Sequence, residues 1–135
     1  MRPLLIEMAA KLTAISYNMH GFNQGVPGIT ELINKLLPDV FMLQEHWLSP
    51  DNLDKLDTLS DMYFVFGSCA MNAAVSAGPL YGRPFGGKAI LINKKHLSHS
   101  SCVVASERFT VIKLYNWLLI TVYMPFTGTP QCELL

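Results

Sequence analysis

The sequence predicts an α/β fold in which a strand–helix–strand unit is followed by a second half that is almost entirely β. Residues 12–18 alternate between apolar and polar and carry β-forming side chains, as in a strand. Apolar residues recur at helical spacing over 29–37, and residues 40–44 form a continuous apolar run. Such a run is typical of a strand buried on both faces, so the three segments together predict a βαβ unit.

The first loop and the following helix are predicted from Gly and Pro. Residues 20–28 are rich in Gly and are interrupted by Pro27, which favours a loop. The helix after it should end at Pro38. A second helix should begin at Ser49-Pro50, with Ser49 as N-cap and Pro50 at the first helical position.

The second half is predicted as strands around one long loop. Aromatic and β-branched residues indicate a strand at 62–67. Residues 68–86 are rich in Gly, Pro, Ala and Ser and predict a loop, whose length is typical of functional or disordered segments. Four strands should follow, at 86–93, 102–107, 109–115 and 118–125. Asn116-Trp117 is predicted as the two-residue hairpin between the last two.

Composition favours one folded domain without a general affinity for nucleic acid. Of the 135 residues, 50% are hydrophobic and 15% charged, which is enough to bury a core. Ten basic residues balance ten acidic residues. Any contact with DNA must therefore come from local patches.

Cysteine usage and the N-terminal segment predict an intracellular protein, nuclear or cytoplasmic and not secreted. Cys69, Cys102 and Cys132 are odd in number and widely spaced, which favours free thiols in a reducing compartment. Glu7 and Lys11 interrupt the apolar opening segment, so it does not resemble a secretory signal. No segment approaches the length of a membrane span.

Four segments place polar residues at the end of an apolar strand: residues 16–21, 43–47, 82–92 and 122–125. Open α/β sheets place their sites at such strand ends. Glu45 can offer a carboxylate to a hard cation such as Mg²⁺, and the alternative is a solvated acid. The Asn18 amide can donate to a phosphate oxygen, and the alternative is a turn residue. The Tyr123 phenol can do the same, and the alternative is a half-buried strand aromatic.

The remaining candidates are less specific. Gly86-Gly87 allows close approach of backbone or ligand. Arg83 can contact a phosphate as a planar fork, although a surface cation is the more common role. His20 and His46 flank the candidates, and each is more often a hydrogen-bonded surface residue than a catalytic one.

Taken in order, the four segments resemble the endonuclease/exonuclease/phosphatase superfamily. They are most similar to the apurinic-endonuclease-like domain of non-LTR (LINE-type) retrotransposons. The resemblance spans residues 12–125. The matching motifs are N-x-x-G at Asn18–Gly21, L-Q-E at Leu43–Glu45, Gly-Gly before an A-I-L-I strand at Gly86–Ile92, and Y-x-P at Tyr123–Pro125.

The resemblance implies the first half of a two-sheet, DNase I-like α/β sandwich. Residues 1–11 would be an N-terminal extension and residues 12–135 a partial domain. It implies a Mg²⁺-dependent DNA endonuclease, with Mn²⁺ as an alternative metal. Glu45 would bind the metal, and Asn18, Tyr123 and Arg83 would contact substrate. In a full-length relative, a reverse transcriptase would be covalently linked.

The chain also departs from the pattern of this superfamily. His20 stands where repair-type relatives carry an acid, and Phe126 where many carry Asn. The later G-D-x-N and S-D-H motifs, which supply the Asp that orients the attacking water and a His, do not occur. We therefore expect a truncated nuclease that is inactive alone and self-associates through an exposed sheet face. The alternatives are a non-catalytic remnant that binds DNA or metal weakly, and a phosphoesterase acting on a small molecule or lipid headgroup.

Overall fold

A computed structural model of the chain describes residues 11–69 and 85–124. Most of the predicted N-terminal extension, most of the predicted 68–86 loop with Arg83, and the tail from Pro125 lie outside the described residues. One α-helix, two 3-10 helices and seven strands are described. They are β1 (Ala14–Asn18), α1 (Phe22–Leu36), β2 (Val40–Gln44), a first 3-10 helix (Pro50–Thr58), β3 (Tyr63–Ser68), β4 (Lys88–Asn93), a second 3-10 helix (Lys94–His99), β5 (Ser100–Ala105), β6 (Phe109–Leu114) and β7 (Trp117–Val122).

The strands form two sheets, and the predicted α/β fold with two sheets is confirmed. Sheet A has the order β1-β2-β4-β3, and sheet B has the order β5-β6-β7. In sheet A, β1 and β2 run parallel and are joined by α1, which confirms the predicted βαβ unit. Strand β4 runs antiparallel to both of its neighbours.

Helix α1 begins at Phe22, so the prediction of a loop over residues 20–28 is wrong. Pro27 lies inside the helix, where it lacks the N–H of one intrahelical bond. Close packing against β1 and the loop after it explains why the helix forms nevertheless. A Cβ on Gly25 would lie 2.7 Å from the Cβ of Met19, and Gly28 faces the ring of Tyr17 in the same way. These glycines therefore let the helix approach the sheet, and they do not form a turn.

Sheet A lies between two apolar layers. Phe41, Leu43 and Leu91 face α1 and the first 3-10 helix, where they pack with Ile29 and Ile33. The alternate residues face sheet B in a second cluster, which comprises Val40, Ile90, Ile92, Ile112 and Leu114. Every residue of β4 is buried, since both faces of this strand are covered.

The outer face of sheet B has no covering layer among the described residues. Cross-strand pairs place Val111 beside Ile120 and Phe109 beside Val122 on this face. Ile120 is 54% exposed and Val122 45%, while Thr110 and Thr121 on the opposite face are buried. The expectation that Val111, Ile120 and Val122 share one outward face is therefore confirmed.

Two local predictions need correction. Ser49 is the N-cap residue and Pro50 the first helical residue, as predicted, but the helix is a 3-10 helix and the Ser49 side chain caps no backbone N–H, since its Oγ accepts from the Asn52 side chain at 2.9 Å. The hairpin turn is Tyr115-Asn116, since Leu114 pairs with Trp117, and Tyr115 adopts a φ of 52°.

None of the described helices is long and apolar enough to cross a membrane.

A polar network joins the two sheets at the end where β2 begins. The Asp39 carboxylate accepts from Thr13 N–H at 2.9 Å and lies 2.6 Å from Nε2 of His96. The other ring nitrogen of His96 lies 2.7 Å from the hydroxyl of Tyr115. Burial alone would raise the pKa of Asp39, but these hydrogen bonds and that from Lys95 outweigh it and lower the pKa to about 2. Asp39 is therefore ionised and links β2 to the second 3-10 helix and to the hairpin of sheet B.

Candidate metal and phosphate site

The parallel pairing of β1 with β2 brings two of the predicted site residues to one sheet edge. Asn18 pairs with Gln44, so Glu45 follows directly beside the end of β1. Strand β4 begins at the same edge, since Gln44 also pairs with Lys88. The prediction that Asn18 and Glu45 lie at the same end of one sheet is confirmed.

The His20 loop ties these two strand ends together. The backbone N–H of His20 donates to Oδ1 of Asn18 at 2.9 Å, which leaves the amide N–H₂ of Asn18 available for another acceptor. Nδ1 of the same histidine lies 3.3 Å from Oε2 of Glu45. The backbone N–H of Gly21 donates to the carbonyl oxygen of Glu45 at 2.9 Å. His20 thus orients the Glu45 carboxylate, at the position where the resemblance placed an acid.

The Gly86-Gly87 pair holds the segment that follows β2. The N–H of Glu45 donates to the carbonyl of Gly87 at 2.8 Å, and the N–H of Trp47 donates to that of Gly86 at 2.9 Å. Gly87 has a φ of 90°, and a Cβ there would overlap the ring of His46. The close backbone approach predicted for this pair is confirmed. This approach positions Glu45 and Trp47 at backbone φ values of 56° and 58°, which residues other than glycine rarely adopt.

His46 is fully buried, so the expectation of a surface histidine is wrong. Its Nε2 lies 2.9 Å from the carbonyl of Ser68 and must donate, while Nδ1 accepts from the N–H of Leu48 at 2.9 Å. Both ring nitrogens are therefore used by the neutral imidazole. Burial lowers the pKa of His46 to about 4, and the charge of Lys88 lowers it further, against the hydrogen bond to Ser68. His46 therefore supports the turn below Glu45 as a buried neutral imidazole.

Tyr123 approaches the site from the other sheet, so the expectation that all three strands lie in one sheet is wrong. It follows β7 of sheet B. The two sheets meet here because the Gln44 side chain donates to Oγ1 of Thr121 at 3.1 Å. Tyr123 lies two residues after Thr121, on the same inward face of the strand. Burial raises the pKa of Tyr123, and the charge of Glu45 raises it further, so the phenol is protonated at neutral pH.

Polar side chains also lie between the sheets behind this edge. Nζ of Lys88 donates to the carbonyl of Ser106 at 2.7 Å, and the lysine is fully buried. Burial lowers the pKa of Lys88 to about 8, although the nearby Cys69 and Glu107 raise it. The hydroxyls of Ser68 and Thr110 lie 3.0 Å apart in the same layer. These groups brace sheet B against the strands that carry the candidate site.

Asn18, Glu45 and Tyr123 therefore converge, while Arg83 lies outside the described residues. Gln44 and Lys88 link the two sheets, although neither residue was predicted to do so. The signal was present in the alternation, since Gln44 shares a face with Val40 and Lys88 shares one with Ile90. Trp47 was also missed, and its position depends on the backbone bond to Gly86, which no pattern reveals.

The oxygen donors at this sheet edge suit a metal ion that keeps water or substrate phosphate as further ligands. Glu45 is 28% exposed and offers one oxygen beyond the one that faces His20. Mg²⁺ is commonly held by one or two carboxylates, with water and substrate phosphate completing its shell. Among the described residues, no three His, Cys, Asp or Glu side chains gather into a metal-binding cluster. A metal here would therefore depend on Glu45 and on phosphate.

No protein-family model matches the chain, and no curated protein matches it by sequence. Solved structures do match its fold. The AP endonuclease LMAP from Leishmania major matches with a TM-score of 0.65 at 19% identity, over 91% of this chain and 43% of that protein. The 3′ phosphatase NExo from Neisseria, bound to a product DNA hairpin, matches with a TM-score of 0.60 at 16% identity, over 91% of this chain and 46% of that protein.

An AP endonuclease from Archaeoglobus fulgidus matches with a TM-score of 0.59 at 15% identity, over 91% of this chain and 46% of that protein. This chain thus spans less than half the length of each of the three proteins. At such identities the likeness concerns architecture only. Two sheets with a helix against the first, in the observed strand order, give this chain the DNase I-like α/β fold of the two AP endonucleases and the 3′ phosphatase, over less than half of their length.

Proposed function

We propose that this chain contributes the metal- and phosphate-binding side of a DNA phosphodiesterase site, of the retrotransposon endonuclease type. The observation that carries the proposal is the convergence of Asn18, Glu45 and Tyr123 at one edge of a DNase I-like fold. The retrotransposon type, with its linked reverse transcriptase, rests on the sequence resemblance alone. DNA as the substrate is supported by the resemblance and by the likeness in fold to a 3′ phosphatase bound to a DNA hairpin. A nuclear or cytoplasmic location rests on the cysteine usage and the N-terminal segment.

Glu45 is the metal ligand in this proposal. A carboxylate oxygen suits Mg²⁺ or Mn²⁺, and His20 fixes the orientation of the carboxylate by its contact at 3.3 Å. When bound, the metal would polarise the phosphate and stabilise the leaving oxygen. The substrate phosphate would supply further oxygen ligands.

Asn18 and Tyr123 bind the phosphate in this proposal. The Asn18 side chain uses Oδ1 for the N–H of His20, so its two amide hydrogens face outward as donors. The phenol of Tyr123 stays protonated at neutral pH, since burial and Glu45 raise its pKa. Both are neutral donors, which can bind a phosphate oxygen without competing with the metal for Glu45.

We expect this chain to bind without turnover. No three His, Cys, Asp or Glu side chains gather into a metal-binding cluster among the described residues, and the motif that would supply an Asp to orient the attacking water does not occur in the sequence. Loss of one preorganised group typically lowers the rate by about a hundredfold or more. The lack of such a cluster among the described residues also favours the second candidate function, a non-catalytic module that binds metal and DNA.

The test compares the full chain with two isosteric variants and one control. Glu45→Gln keeps a hydrogen-bonding group beside His20 but removes the charge. Asn18→Asp keeps the acceptor for the N–H of His20 but replaces the outward donor with an acid. Glu31→Gln removes an exposed carboxylate on α1 that pairs with Lys35, far along the chain from the site.

Two measurements follow from these variants. Mn²⁺ binding, followed by electron paramagnetic resonance, should weaken by about tenfold or more in Glu45→Gln and stay unchanged in Glu31→Gln. Binding of a short DNA duplex in Mg²⁺ should weaken in Asn18→Asp. Equal Mn²⁺ affinity in the wild type and Glu45→Gln would overturn the metal site.

Nicking of supercoiled plasmid in Mg²⁺ should not exceed the level of Glu45→Ala. Nicking that depends on Glu45 would show that another residue activates the water, and the expectation of binding without turnover would then be wrong. Adjacent genomic sequence tests the finer assignment. A downstream G-D-x-N, S-D-H and reverse-transcriptase reading frame would support the retrotransposon type.

A further inference from the structure

A cavity of about 170 Å³ opens directly beside Glu45, on the α1 side of the sheet edge. Its walls include Phe22, Asn23, Gln24, Trp47, Leu48 and Lys55, and we call it the Trp47 cavity. A water molecule occupies about 30 Å³ in the liquid, so the cavity has the volume of about six water molecules. This is enough room for one planar ring system. A whole drug-sized ligand normally needs about 300 Å³ or more.

The position of Trp47 is fixed by the same backbone bonds that position Glu45. The N–H of Trp47 donates to Gly86, next to the glycine that holds the N–H of Glu45. The indole lies 5.7 Å, centroid to centroid, from the ring of His20. A Cβ on Gly21 would lie 2.7 Å from the indole, so only glycine there allows this placement. The cavity is therefore part of the loop that orients the Glu45 carboxylate.

Three kinds of chemistry line the Trp47 cavity. Phe22, Trp47 and Leu48 provide an aromatic and aliphatic wall. Asn23 and Gln24 provide neutral amides that can both donate and accept. Lys55 provides a cation. Within the described part of the chain, no side-chain hydrogen bond occupies these two amides or this ammonium. Among the residues that the structure describes, no carboxylate lines the cavity.

A nucleotide presents the three complementary features. Its base has a π-face that stacks on indole. The edge of the base exchanges donor and acceptor pairs with Asn or Gln amides. The phosphate that follows carries the charge that a lysine attracts. A paired base cannot enter, because its edge and both faces are already covered within the duplex.

We propose that the Trp47 cavity holds one unpaired nucleobase of a DNA strand whose neighbouring phosphate lies at Glu45. This inference rests on the proposed function and specifies its substrate, which is DNA with an unstacked base beside the target phosphate. Trp47 stacks on the base, Asn23 and Gln24 contact its edge, and Lys55 contacts the phosphate on the far side.

Fluorescence of Trp47 tests the inference without any catalytic readout. The chain has two tryptophans, so Trp117→Phe leaves Trp47 as the single indole. Titration of this variant of the full chain with dAMP should quench its fluorescence in a saturable manner. Deoxyribose 5-phosphate and inorganic phosphate should not. Equal quenching by dAMP and deoxyribose 5-phosphate would overturn the proposal of a base site.

Duplex binding provides the second measurement. A duplex with one unpaired adenine should bind at least about tenfold tighter than the fully paired duplex of the same sequence. The double variant Asn23→Ala, Gln24→Ala should lose most of this difference, and Trp47→Phe should retain more of it than Trp47→Leu. The amides are exposed and the Phe ring still stacks, so these variants are expected to fold. Equal affinity of the wild type for both duplexes would overturn the inference.

Glu45→Gln separates this proposal from the proposed function. Quenching by dAMP should be unchanged in a Glu45→Gln, Trp117→Phe double variant, because Glu45 does not line the cavity. Loss of Mn²⁺ binding with retained dAMP quenching would support both proposals. If Mn²⁺ binding proves independent of Glu45 while dAMP still quenches, the metal site fails and the base site stands.

Discussion

Nδ1 of His20 lies 3.3 Å from Oε2 of Glu45, although the two residues follow different strands and are 25 positions apart. The contact links a half-buried carboxylate to an imidazole whose side chain is 81% exposed. It gives the carboxylate a fixed partner before any ligand arrives. Loss of a group that orients a metal ligand in this way typically lowers metal affinity by about ten- to a hundredfold.

Substitution of His20 should therefore change Mn²⁺ binding without a direct contact to the metal. His20→Ala should weaken Mn²⁺ affinity by about tenfold, because the Glu45 carboxylate loses its partner. His20→Gln keeps a donor and should weaken it less. Isothermal titration calorimetry can measure both variants. A gain in affinity for His20→Ala would mean that the imidazole competes with the metal for Oε2.

The buried neutral His46 predicts a loss of stability in mild acid. Its pKa is about 4 in the folded chain, below the ordinary value of 6.5, so the unfolded state binds the proton first as the pH falls. The contribution is complete above pH 6.5 and is lost as the pH falls toward 4. At about 1.4 kcal/mol per unit of pKa, it amounts to about 3 kcal/mol.

Urea unfolding between pH 7.5 and 4.5 measures this contribution. In His46→Gln, which keeps a donor for the carbonyl of Ser68, stability should vary much less across the window. Asp39 hardly changes the folding stability between pH 7.5 and 4.5. Its contribution to stability is present above pH 3.8 and is lost only as the pH falls through about 2. Parallel pH profiles for the wild type and His46→Gln would show that His46 is not buried as a neutral group.

The buried Lys88 predicts a change in folding stability at alkaline pH. Its pKa is about 8 when folded and 10.5 ordinarily, so the unfolded state binds more protons between these values. Stability due to this group therefore rises from pH 8 to pH 10.5, by up to about 3 kcal/mol. The difference in unfolding free energy between the wild type and Lys88→Met should rise over this range. Tyr63 and Tyr123 titrate in both proteins and cancel in the difference.

Lys35→Met is the matched control, because Lys35 is exposed on α1 and pairs only with Glu31 among the described residues. The comparison with this variant shows how far the removal of an exposed lysine alone changes the unfolding free energy. A flat difference for Lys88→Met would mean that water reaches the Lys88 ammonium.

The uncovered face of sheet B predicts self-association. Ile120 and Leu118 are more than half exposed on β7, and apolar patches of this kind normally mark an interface or a site of aggregation. Sedimentation velocity of the full chain should show oligomers. Ile120→Lys should weaken the association by about tenfold or more, because a buried isoleucine contributes about 2 kcal/mol.

Leu36→Lys, at an exposed position on α1, serves as the control and should leave the oligomers unchanged. A monodisperse wild-type monomer with a cooperative melt would contradict the prediction. It would also mean that the described sheets are stable without a further layer on this face.

Local patterns predicted the strands and the βαβ unit, because period-two alternation and continuous apolar runs report burial directly. They missed the start of α1, since Gly25 and Pro27 are typical of loops and only the contact of Gly25 with Met19 shows otherwise. At the site, parallel pairing was enough to place Asn18 beside Glu45. The approach of Tyr123 from sheet B depends on contacts between distant residues, such as Gln44 with Thr121, 77 positions apart.

The left-handed backbone of Glu45 links folding stability to the presence of its carboxylate. A φ of 56° costs about 1–2 kcal/mol for most residues, while Gly and Asn adopt it more readily. Replacement of Glu45 by Asn would thus make the chain more stable and remove the long carboxylate side chain. Selection for stability alone would favour that exchange. Under the proposed metal site, Glu45 accepts this backbone strain in exchange for a carboxylate at the sheet edge.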